Sequence, residues 1–451
     1  MRCPVVVCGV LMSVGACFGG VTLEPCEGPE TCPPATPLCL DGACFHHTVG
    51  YVHPVCASGE EQGPGCCALD SEEMGGGCVA WTEPIGALHS PAVTTPDGGF
   101  ALVQCGATAC ALRRLAADGT ESWSVDLGPA QAQGDLPVPA VAADGGITVG
   151  TVDGPVCVSA DGKVLAGDTT SGLAPLRLSA CSGGSVFVLT SEGLVVYPGQ
   201  AGPYEVPVAG MDEVVPGGPG PLVFPELQRA LLQTGAARVA LVSTGDAPGE
   251  IWSSVLPPGA GEISGMGADR NGRAYVVAGN GVVLTYDVHA DDRSLRFAWA
   301  PSTSPGATVA AGPLLPEAGV VLVGGPDGVW QIRWPEKMPE LLAAPAGATT
   351  ALIALRLGGL AAVRSRPDGT SVLEFAVAAG SLPEPRDAAG GTVVRRMELP
   401  CAAPQASAPQ EQGMMAVACG DTLLGIVAPE TRQRDAPWPM QRGAGNSGCV
   451  E

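Results

Sequence analysis

Short apolar runs, separated by Asp-Gly or Asn-Gly turns, recur along most of this chain. The clearest unit begins at 90–93, turns at 97–99, continues through the apolar run 100–103 and ends on 117–123. Apolar runs of this length with such turns between them are typical of antiparallel hairpins. A repeat of about 40–45 residues built from four short strands is the length of one β-propeller blade. The pattern therefore predicts a propeller.

Tryptophans mark the ends of the repeating units. Trp81, Trp123, Trp252, Trp299 and Trp334 follow one another at steps of 42, 129, 47 and 35 residues, and 129 is three times 43. The 357 residues from Trp81 to Trp438 give about 45 per unit if there are eight units. We therefore predict an all-β protein with a single propeller of about eight, alternatively seven, four-stranded blades. Weaker units are recognised by the apolar runs 186–189, 239–242, 320–323, 360–363 and 415–418.

Each end of the predicted propeller contains a segment with a tryptophan. Segment 437–440 follows the last weak unit, and segment 79–81 precedes the first clear one. An open propeller would leave strand edges exposed to promiscuous pairing. We therefore expect the two ends to meet in one shared blade.

Two segments suggest a family. Ala117-Asp118-Gly119-Thr120 through Trp123, and Thr244-Gly245-Asp246 through Trp252, resemble the Ala-x-Asp-x-x-Thr-Gly-x-x-x-Trp repeat of pyrroloquinoline-quinone-type propellers, in shortened or shuffled form. Such repeats occur in quinoprotein dehydrogenases and in the outer-membrane barrel-assembly lipoprotein. The segment 438–448 is similar to a stretch common beside them. The resemblance covers roughly residues 81–451 and implies an architecture, because a fold by itself does not fix a reaction.

The N-terminus resembles an export signal. Met1-Arg2 precedes a mostly apolar stretch over 4–18, and Val14-Gly15-Ala16-Cys17 resembles the lipobox of bacterial lipoproteins. We expect a signal peptide over 1–16 and a lipidated Cys17 followed by a tether over 17–25. The alternative is a plain signal peptide cut near Ala16 or Gly20. Beyond the leader, no apolar run reaches the ~18 residues that a spanning helix needs.

Cysteines crowd into the next segment. Eight of the chain's 18 cysteines lie there: Cys26, Cys32, Cys39, Cys44, Cys56, Cys66, Cys67 and Cys78. A segment with so little apolar content is most simply a disulfide-stapled module, which we place over 26–80, before a propeller domain over 81–451. Three histidines, His46, His47 and His53, have no zinc-finger spacing, so we expect a loop there and no metal.

Further cysteines fall within the propeller. Cys105 and Cys110 flank a four-residue turn between two strands, where opposed β-carbons are close enough to bridge. By their order in the blades, Cys401 with Cys419 and Cys157 with Cys181 are further candidate disulfides. This arrangement would leave Cys449 without a partner.

Charge limits the partners. The net charge is −23, and no Lys or Arg occurs between Arg2 and Arg113. Because nucleic-acid binding depends largely on Lys and Arg at phosphates, we expect no nucleic-acid partner. Anionic lipid would also attract this chain little, so we expect membrane attachment only through the N-terminal lipid.

Catalytic motifs are absent from the sequence. It contains neither Gly-x-Ser-x-Gly nor His-Glu-x-x-His, and only His89 and His289 lie in the propeller. Asp-Gly pairs at 97–98, 144–145, 161–162 and 327–328 lack the ligand spacing of a calcium loop and predict turns. We therefore expect no catalytic residue, metal or cofactor.

These observations lead to one functional hypothesis and one alternative. The hypothesis is a non-enzymatic, envelope-anchored propeller that binds an envelope protein or peptide, located as an outer-membrane lipoprotein or, alternatively, in the periplasm or outside the cell. The alternative is a quinoprotein dehydrogenase that uses pyrroloquinoline quinone and calcium. That enzyme would need a basic group at the quinone, a carboxylate base and oxygen ligands, for which the sequence offers no clear motif.

Overall fold

The described part of the chain is built almost entirely of strands. Within it the only helical element is the 3₁₀ turn Pro225–Leu227, and no helix there is long and apolar enough to cross a membrane. The residues that this computed structural model describes are 38–40, 43–45, 72–74, 77–129, 138–142, 144–151, 153–167, 177–181, 185–198, 203–211, 219–291, 295–299, 311–317, 320–325, 328–333, 339–343, 348–355, 360–366, 368–377, 393–402, 404–407, 410, 414–427 and 449.

The chain divides into two compact units, Met1–Tyr51 and Val52–Glu451. In the first unit, strand β1 (Leu38–Leu40) pairs with β2 (Ala43–Phe45), with Cys39 opposite Cys44 in the register. The remainder of the predicted module over 26–80 lies outside the described residues, apart from strands β3 and β4 of the second unit.

The second unit contains seven four-stranded sheets and one five-stranded sheet, all antiparallel. We call them blades 1 to 8 in chain order. The strands of the first four are, for blade 1, β5 (Val93–Thr94), β6 (Phe100–Cys105), β7 (Ala109–Leu115) and β8 (Glu121–Pro129); for blade 2, β9 (Ala140–Val141), β10 (Ile147–Thr151), β11 (Gly154–Val158) and β12 (Val164–Gly167); for blade 3, β13 (Arg177–Ala180), β14 (Val186–Leu189), β15 (Gly193–Tyr197) and β16 (Tyr204–Pro207); for blade 4, β17 (Leu222–Phe224), β18 (Arg229–Gly235), β19 (Arg238–Ser243) and β20 (Gly249–Val255).

The later blades repeat this order. Their strands are, for blade 5, β21 (Ile263–Ala268), β22 (Arg273–Ala278), β23 (Val283–Asp287) and β24 (Leu295–Trp299); for blade 6, β25 (Ala311–Glu317), β26 (Val320–Gly325), β27 (Gly328–Arg333) and β28 (Pro339–Ala343); for blade 7, β29 (Ala348–Ala354), β30 (Leu360–Ser365), β31 (Ser371–Val377) and β32 (Val393–Leu399); for blade 8, β33 (Gln405–Ala406), β34 (Met414–Cys419), β35 (Thr422–Val427), β4 (Gly77–Pro84) and, outermost, β3 (Glu72–Met74).

The first strand of each blade lies toward the ring axis and the fourth lies outermost, except in blade 8, where β3 lies outside the fourth strand β4. First strands of neighbouring blades contact one another, for example β21 with β25 and β25 with β29. The prediction of an all-β propeller with about eight blades is confirmed. Trp81, Trp123, Trp252 and Trp299 all lie in fourth strands, as expected for residues that end a unit. Trp334 lies outside the described residues.

The hydrophobic core is divided between the seams of neighbouring blades. Blades 4 and 5, for example, share a cluster that includes Trp252, Tyr275 and Tyr286, and blades 7 and 8 share one that includes Phe375 and Met415. The second and third strands are buried on both faces because each sheet lies between two others. This is why their sequences are nearly continuous apolar runs such as 239–242.

The ring closes inside blade 8, where strands from both ends of the propeller pair. Strand β4 pairs with β35, with Trp81 opposite Gly425. The two ends therefore share a blade, although β35 ends before segment 437–440, which lies outside the described residues. Strand β4 spans both sides of residue 81, where the sequence analysis places the domain boundary.

Candidate functional site

One interaction recurs between neighbouring blades. An aromatic residue of one blade packs on a turn of the next blade and donates a hydrogen bond to that turn. The Nε1 of Trp81, in β4 of blade 8, donates a hydrogen bond to the carbonyl of Ala117 over 2.8 Å. The Nε1 of Trp123, in β8 of blade 1, donates to Ala160 over 3.0 Å. Both carbonyls lie in the turn between the third and fourth strands of the following blade.

Glycine is required where each indole ring lies on that turn. Gly119 and Gly162 have φ values of 82° and 86°, which favour glycine. A Cβ on Gly119 would come within 2.5 Å of the Trp81 ring, and one on Gly162 within 2.8 Å of the Trp123 ring. The Asp-Gly pairs at these turns therefore serve both the backbone geometry and the docking of the neighbouring blade.

Later seams use other side chains at the same turn. The hydroxyl of Tyr204, in the fourth strand of blade 3, donates to the carbonyl of Thr244 in blade 4 over 2.5 Å. Arg229 of blade 4 donates to the carbonyls of Val288 and Ala290 in blade 5, at 2.6 and 3.3 Å. Sequence analysis missed both residues, because neither tyrosine nor arginine fits a tryptophan repeat.

A cluster of charged groups fastens blade 8 to blade 1. The guanidinium of Arg113 contacts Glu83 of β4 and Glu121 of β8, each at 2.6 Å, and donates to Gln104 over 2.8 Å. Burial lowers the pKa of Arg113, but hydrogen bonds and charge from the two glutamates outweigh it and raise the pKa from its ordinary value. This cluster therefore stabilises the contact between blade 8 and blade 1.

The two histidines of the propeller are both engaged in packing. The ring of His89 lies between blades 1 and 8, with Nδ1 3.1 Å from the Ser90 carbonyl and Nε2 2.7 Å from that of Gly420. His289 packs against Gly272. The structure therefore keeps these histidines apart and brings neither to a nucleophile or carboxylate pair among its described contacts.

The Asp-Gly segments form turns whose aspartates bind their own backbone. Asp118 accepts from the amide and hydroxyl of Thr120, at 3.0 and 2.6 Å. Asp144 accepts from the amide of Gly146 over 2.9 Å. The turns predicted at 97–98, 144–145 and 161–162 are confirmed, while Asp327 lies outside the described residues. Over the described positions, no group of three or more His, Cys, Asp or Glu could hold a metal ion.

Asp97 binds both its own turn and a neighbouring strand. It accepts hydrogen bonds from Thr95, over 2.7 Å, and from Arg114. Burial raises the pKa of Asp97, but the hydrogen bonds from Thr95 and Arg114 and the charge of Arg114 prevail and lower it below its ordinary value. The carboxylate is therefore held in its ionised form as part of the turn.

Disulfides connect the strands at three places in the described propeller. Cys105 bonds Cys110 across the turn between β6 and β7, and Cys401 bonds Cys419 where blade 7 passes into blade 8. Both are pairs that the sequence analysis proposes. The third joins Cys181, in the first turn of blade 3, to Cys449 near the C-terminus.

The proposed pairing of Cys157 with Cys181 is wrong, and so is the unpaired Cys449. Cys157 is a free thiol in β11, with its pKa raised by burial against a smaller opposing effect of Thr148. Sequence order suggested neighbours, but the chain returns at Cys449 across the ring, 268 residues after Cys181. Order along the chain could not reveal that return.

Large apolar side chains are exposed on the outermost strands. Val164 and Leu165 of β12 are 55% and 67% exposed, and Val255 of β20 is 69% exposed. Most surface-exposed apolar residues need no explanation, but β12 and β20 are also the last strands of their sheets, with no further strand paired beyond them among the described residues. An edge strand with free amides and carbonyls can pair with another chain.

The strands nearest the axis carry little charge. Across the eight first strands, all of them described, Arg177 and Glu317 are the charged residues. Arg177 is buried and donates to the Pro219 carbonyl and to Gln233, at 2.9 and 2.8 Å. These strands therefore offer few oxygen ligands for a cation on the axis. Cys17 and the histidines of the N-terminal segment lie outside the described residues.

Comparisons with known proteins found solved structures of similar fold and no match among family models or curated proteins. No protein-family model matches the chain, and no curated protein matches it. A chain of the mitotic checkpoint complex is similar at 12% identity and TM-score 0.47, covering 82% of this chain and 99% of that one. The WD40 domain of SCAP from fission yeast is similar at 10% identity and TM-score 0.45, covering 78% and 98%.

The β-propeller domain of Cps50 (Swd1) from Myceliophteria thermophila is similar at 8% identity and TM-score 0.45, covering 78% of this chain and 99% of that domain. Likenesses at this level carry no functional argument. The architecture rests on the order of strands in this chain itself. The chain folds as a β-propeller, and the narrower resemblance to quinone-type repeats stays a prediction.

Proposed function

We propose that this protein is a non-enzymatic scaffold of the bacterial envelope, whose propeller binds another envelope protein or a peptide along its blade edges. The observation that carries the proposal is the exposure of Val164, Leu165 and Val255 on strands that are the outermost of their sheets in the described part of the chain. An extended peptide could pair with such an edge and place apolar side chains against these residues.

The proposed compartment is supported by the cysteines. Disulfides persist in oxidising spaces, and the described propeller contains three of them. A lipid on Cys17, and with it location as an outer-membrane lipoprotein, is the part of the proposal that depends on the N-terminal sequence alone. Replacing Cys17→Ser should release the protein from the membrane fraction, and unchanged fractionation would contradict lipidation.

The finer resemblance to quinone-type repeats is part of the same proposal, as a statement about repeat architecture. It is supported by the docking of Trp81 and Trp123 on glycine turns of the next blade. Enzymatic use of a quinone has less support, because the axis-facing strands supply Arg177 and Glu317 as their charged groups. We therefore propose binding and no cofactor.

The binding proposal is tested by photo-crosslinking of the full chain in the cell envelope. A crosslinking amino acid is placed at Leu165, at Val255 and, as a matched control, at Glu205, which is exposed on the outermost strand of the intervening blade 3. We expect a discrete adduct from Leu165 or Val255 that is weaker by at least tenfold from Glu205. Equal adducts at all three positions, or none, would show that these edges are not the binding surface.

The catalytic alternative has its own measurement. The purified protein is incubated with pyrroloquinoline quinone, Ca²⁺, a panel of alcohols and sugars and an artificial electron acceptor. The scaffold proposal expects no dye reduction. Reduction that depends on both quinone and substrate would establish a dehydrogenase instead.

A further inference from the structure

Cys449 lies at the inner edge of blade 4, whereas the last strand before it in the described part of the chain belongs to blade 8. Strand β35 of blade 8 ends at Val427, whereas Cys449 forms a parallel β-bridge with Val223 of β17 in blade 4. Strand β17 is the first strand of its sheet, so the edge not paired with β18 faces the ring axis. In a ring of eight blades, blade 4 lies opposite blade 8.

Three separate contacts hold Cys449 at this position. Its sulfur is bonded to Cys181, its backbone pairs with Val223, and its side chain packs with the cluster that contains Phe187 and Ala230. The edge of β17 therefore accepts backbone pairing from Cys449 in this structure. Pairing of a longer segment with such an edge gives affinity through the backbone and selectivity through the side-chain pocket.

The two cysteines differ in their exposure. Cys181 is 2% exposed, whereas Cys449 is half-buried, so Cys449 is the residue that a reductant in solution approaches more readily. Thiol–disulfide exchange requires access of the attacking thiolate to a sulfur. The bond is thus built with one protected and one approachable partner.

We propose that the axis-facing edge of β17 and Cys181 form an acceptor site that Cys449 of the same chain occupies, and that thiol–disulfide exchange opens this site to an extended, cysteine-containing peptide. The inference goes beyond the scaffold function, because it concerns control of one inner edge and holds whichever outer surface binds a partner.

The exchange with a dithiol reductant balances as follows. One thiolate of the reductant attacks Cys449 Sγ and forms a mixed disulfide, and the Cys181 sulfur leaves and takes up a proton. The second thiol of the reductant attacks the mixed disulfide, releases the Cys449 thiol and leaves the reductant as a disulfide. Two electrons and two protons pass from the reductant to the protein.

The first test follows amide hydrogen exchange in full-length wild type and in Cys449→Ser. We expect at least one amide of Leu222–Phe224 to exchange tenfold or more faster in the variant. The matched control is the double variant Cys105→Ser with Cys110→Ser, which removes a disulfide in blade 1 and should leave these amides unchanged. Unaltered exchange in Cys449→Ser would overturn the proposal.

The second test captures a peptide. A peptide of sequence 443–451, with its cysteine activated by thionitrobenzoate, is added to full-length Cys449→Ser, and mass spectrometry locates the new disulfide. We expect attachment at Cys181 at least tenfold faster than for a scrambled peptide, with the free thiol of Cys157 as the internal control. Equal rates for the two peptides, or attachment at Cys157 alone, would refute the acceptor site.

If Cys449→Ser does not fold, wild type serves in its place. Graded dithiothreitol is applied while the state of each disulfide is followed by mass spectrometry. Faster exchange at 222–224 must then coincide with reduction of Cys181–Cys449. Exchange that follows the reduction of Cys105–Cys110 or Cys401–Cys419 instead would contradict the inference.

Discussion

Blade 1 is made from one continuous stretch of chain, whereas blade 8 is assembled from both ends of the propeller. Yet each ends on a strand whose tryptophan grips the next blade in the same way, Trp123 from β8 and Trp81 from β4. The difference is that Trp81 also packs on Gly425 of β35 and on Phe100, with ring centroids 5.8 Å apart. In blade 8 the Trp81 side chain therefore stabilises both the contact with blade 1 and the pairing of β4 with β35 that closes the ring.

The comparison shows which feature of the seam is constant. At later seams the donor is Tyr204 or Arg229, although blade 4 keeps Trp252 in its fourth strand, and each donor still reaches a backbone carbonyl of the same turn in the next blade. A backbone carbonyl is present whatever the turn's sequence, so the donor can vary. The sequence repeat can therefore become less regular from blade to blade while the contacts that close the ring are kept.

The largest expected effect comes from removing the indole that closes the ring. We expect Trp81→Ala to lower the free energy of unfolding by about 3–5 kcal/mol, the range for large aromatic truncations. Trp123→Ala is the matched control and should cost less, because blade 1 is held together by a continuous chain. Urea unfolding measures both. Equal losses would show that closure of blade 8 adds nothing to the role of Trp81.

The next effect concerns the glycine beneath that indole. We expect Gly119→Ala to cost about 2–4 kcal/mol, because the residue has positive φ and its Cβ would meet the Trp81 ring. Gly369→Ala is the control, since it has φ of 84° and nothing within 4 Å of its Cβ. That control should cost about 1–2 kcal/mol. Thermal unfolding of the two variants separates the clash from the backbone strain.

A smaller effect is expected where a tyrosine replaces the tryptophan. Tyr204→Phe removes the hydroxyl that donates to Thr244 and keeps the ring. The loss should be about 1 kcal/mol, as for one intramolecular hydrogen bond. If urea unfolding shows no loss for Tyr204→Phe, the later seams do not depend on this donor.

The smallest effect concerns an aspartate that acts within blade 1 alone. Because the pKa of Asp97 is lowered in the folded protein, its stabilisation is present above the unfolded pKa and is lost as pH falls through the folded value. We expect Asp97→Asn to cost less than about 1 kcal/mol at pH 7, since the carboxylate is largely exposed. The difference from wild type should shrink below about pH 4. A difference that grows in acid would contradict the assignment.

Much of the fold was predictable because its signals are local. The spacing of Trp81, Trp123 and Trp252 gave the correct step between fourth strands, and the Asp-Gly pairs gave turns. The Cys105–Cys110 pairing was accessible for the same reason, since a short turn brings its flanking residues together. The proposed binding edges were not accessible, because exposure of Val164 or Val255 depends on which strand is outermost.

The sequence by itself determined that the chain forms short antiparallel strands in a repeat of blade length, because hairpin turns and apolar runs act over a few residues. Only the tertiary structure decided which distant parts meet. It paired β4 with β35, and it joined Cys181 to Cys449 in place of Cys157. The physical reason is that ring closure brings together residues that are far apart along the chain, and sequence separation does not show which of them become neighbours in space.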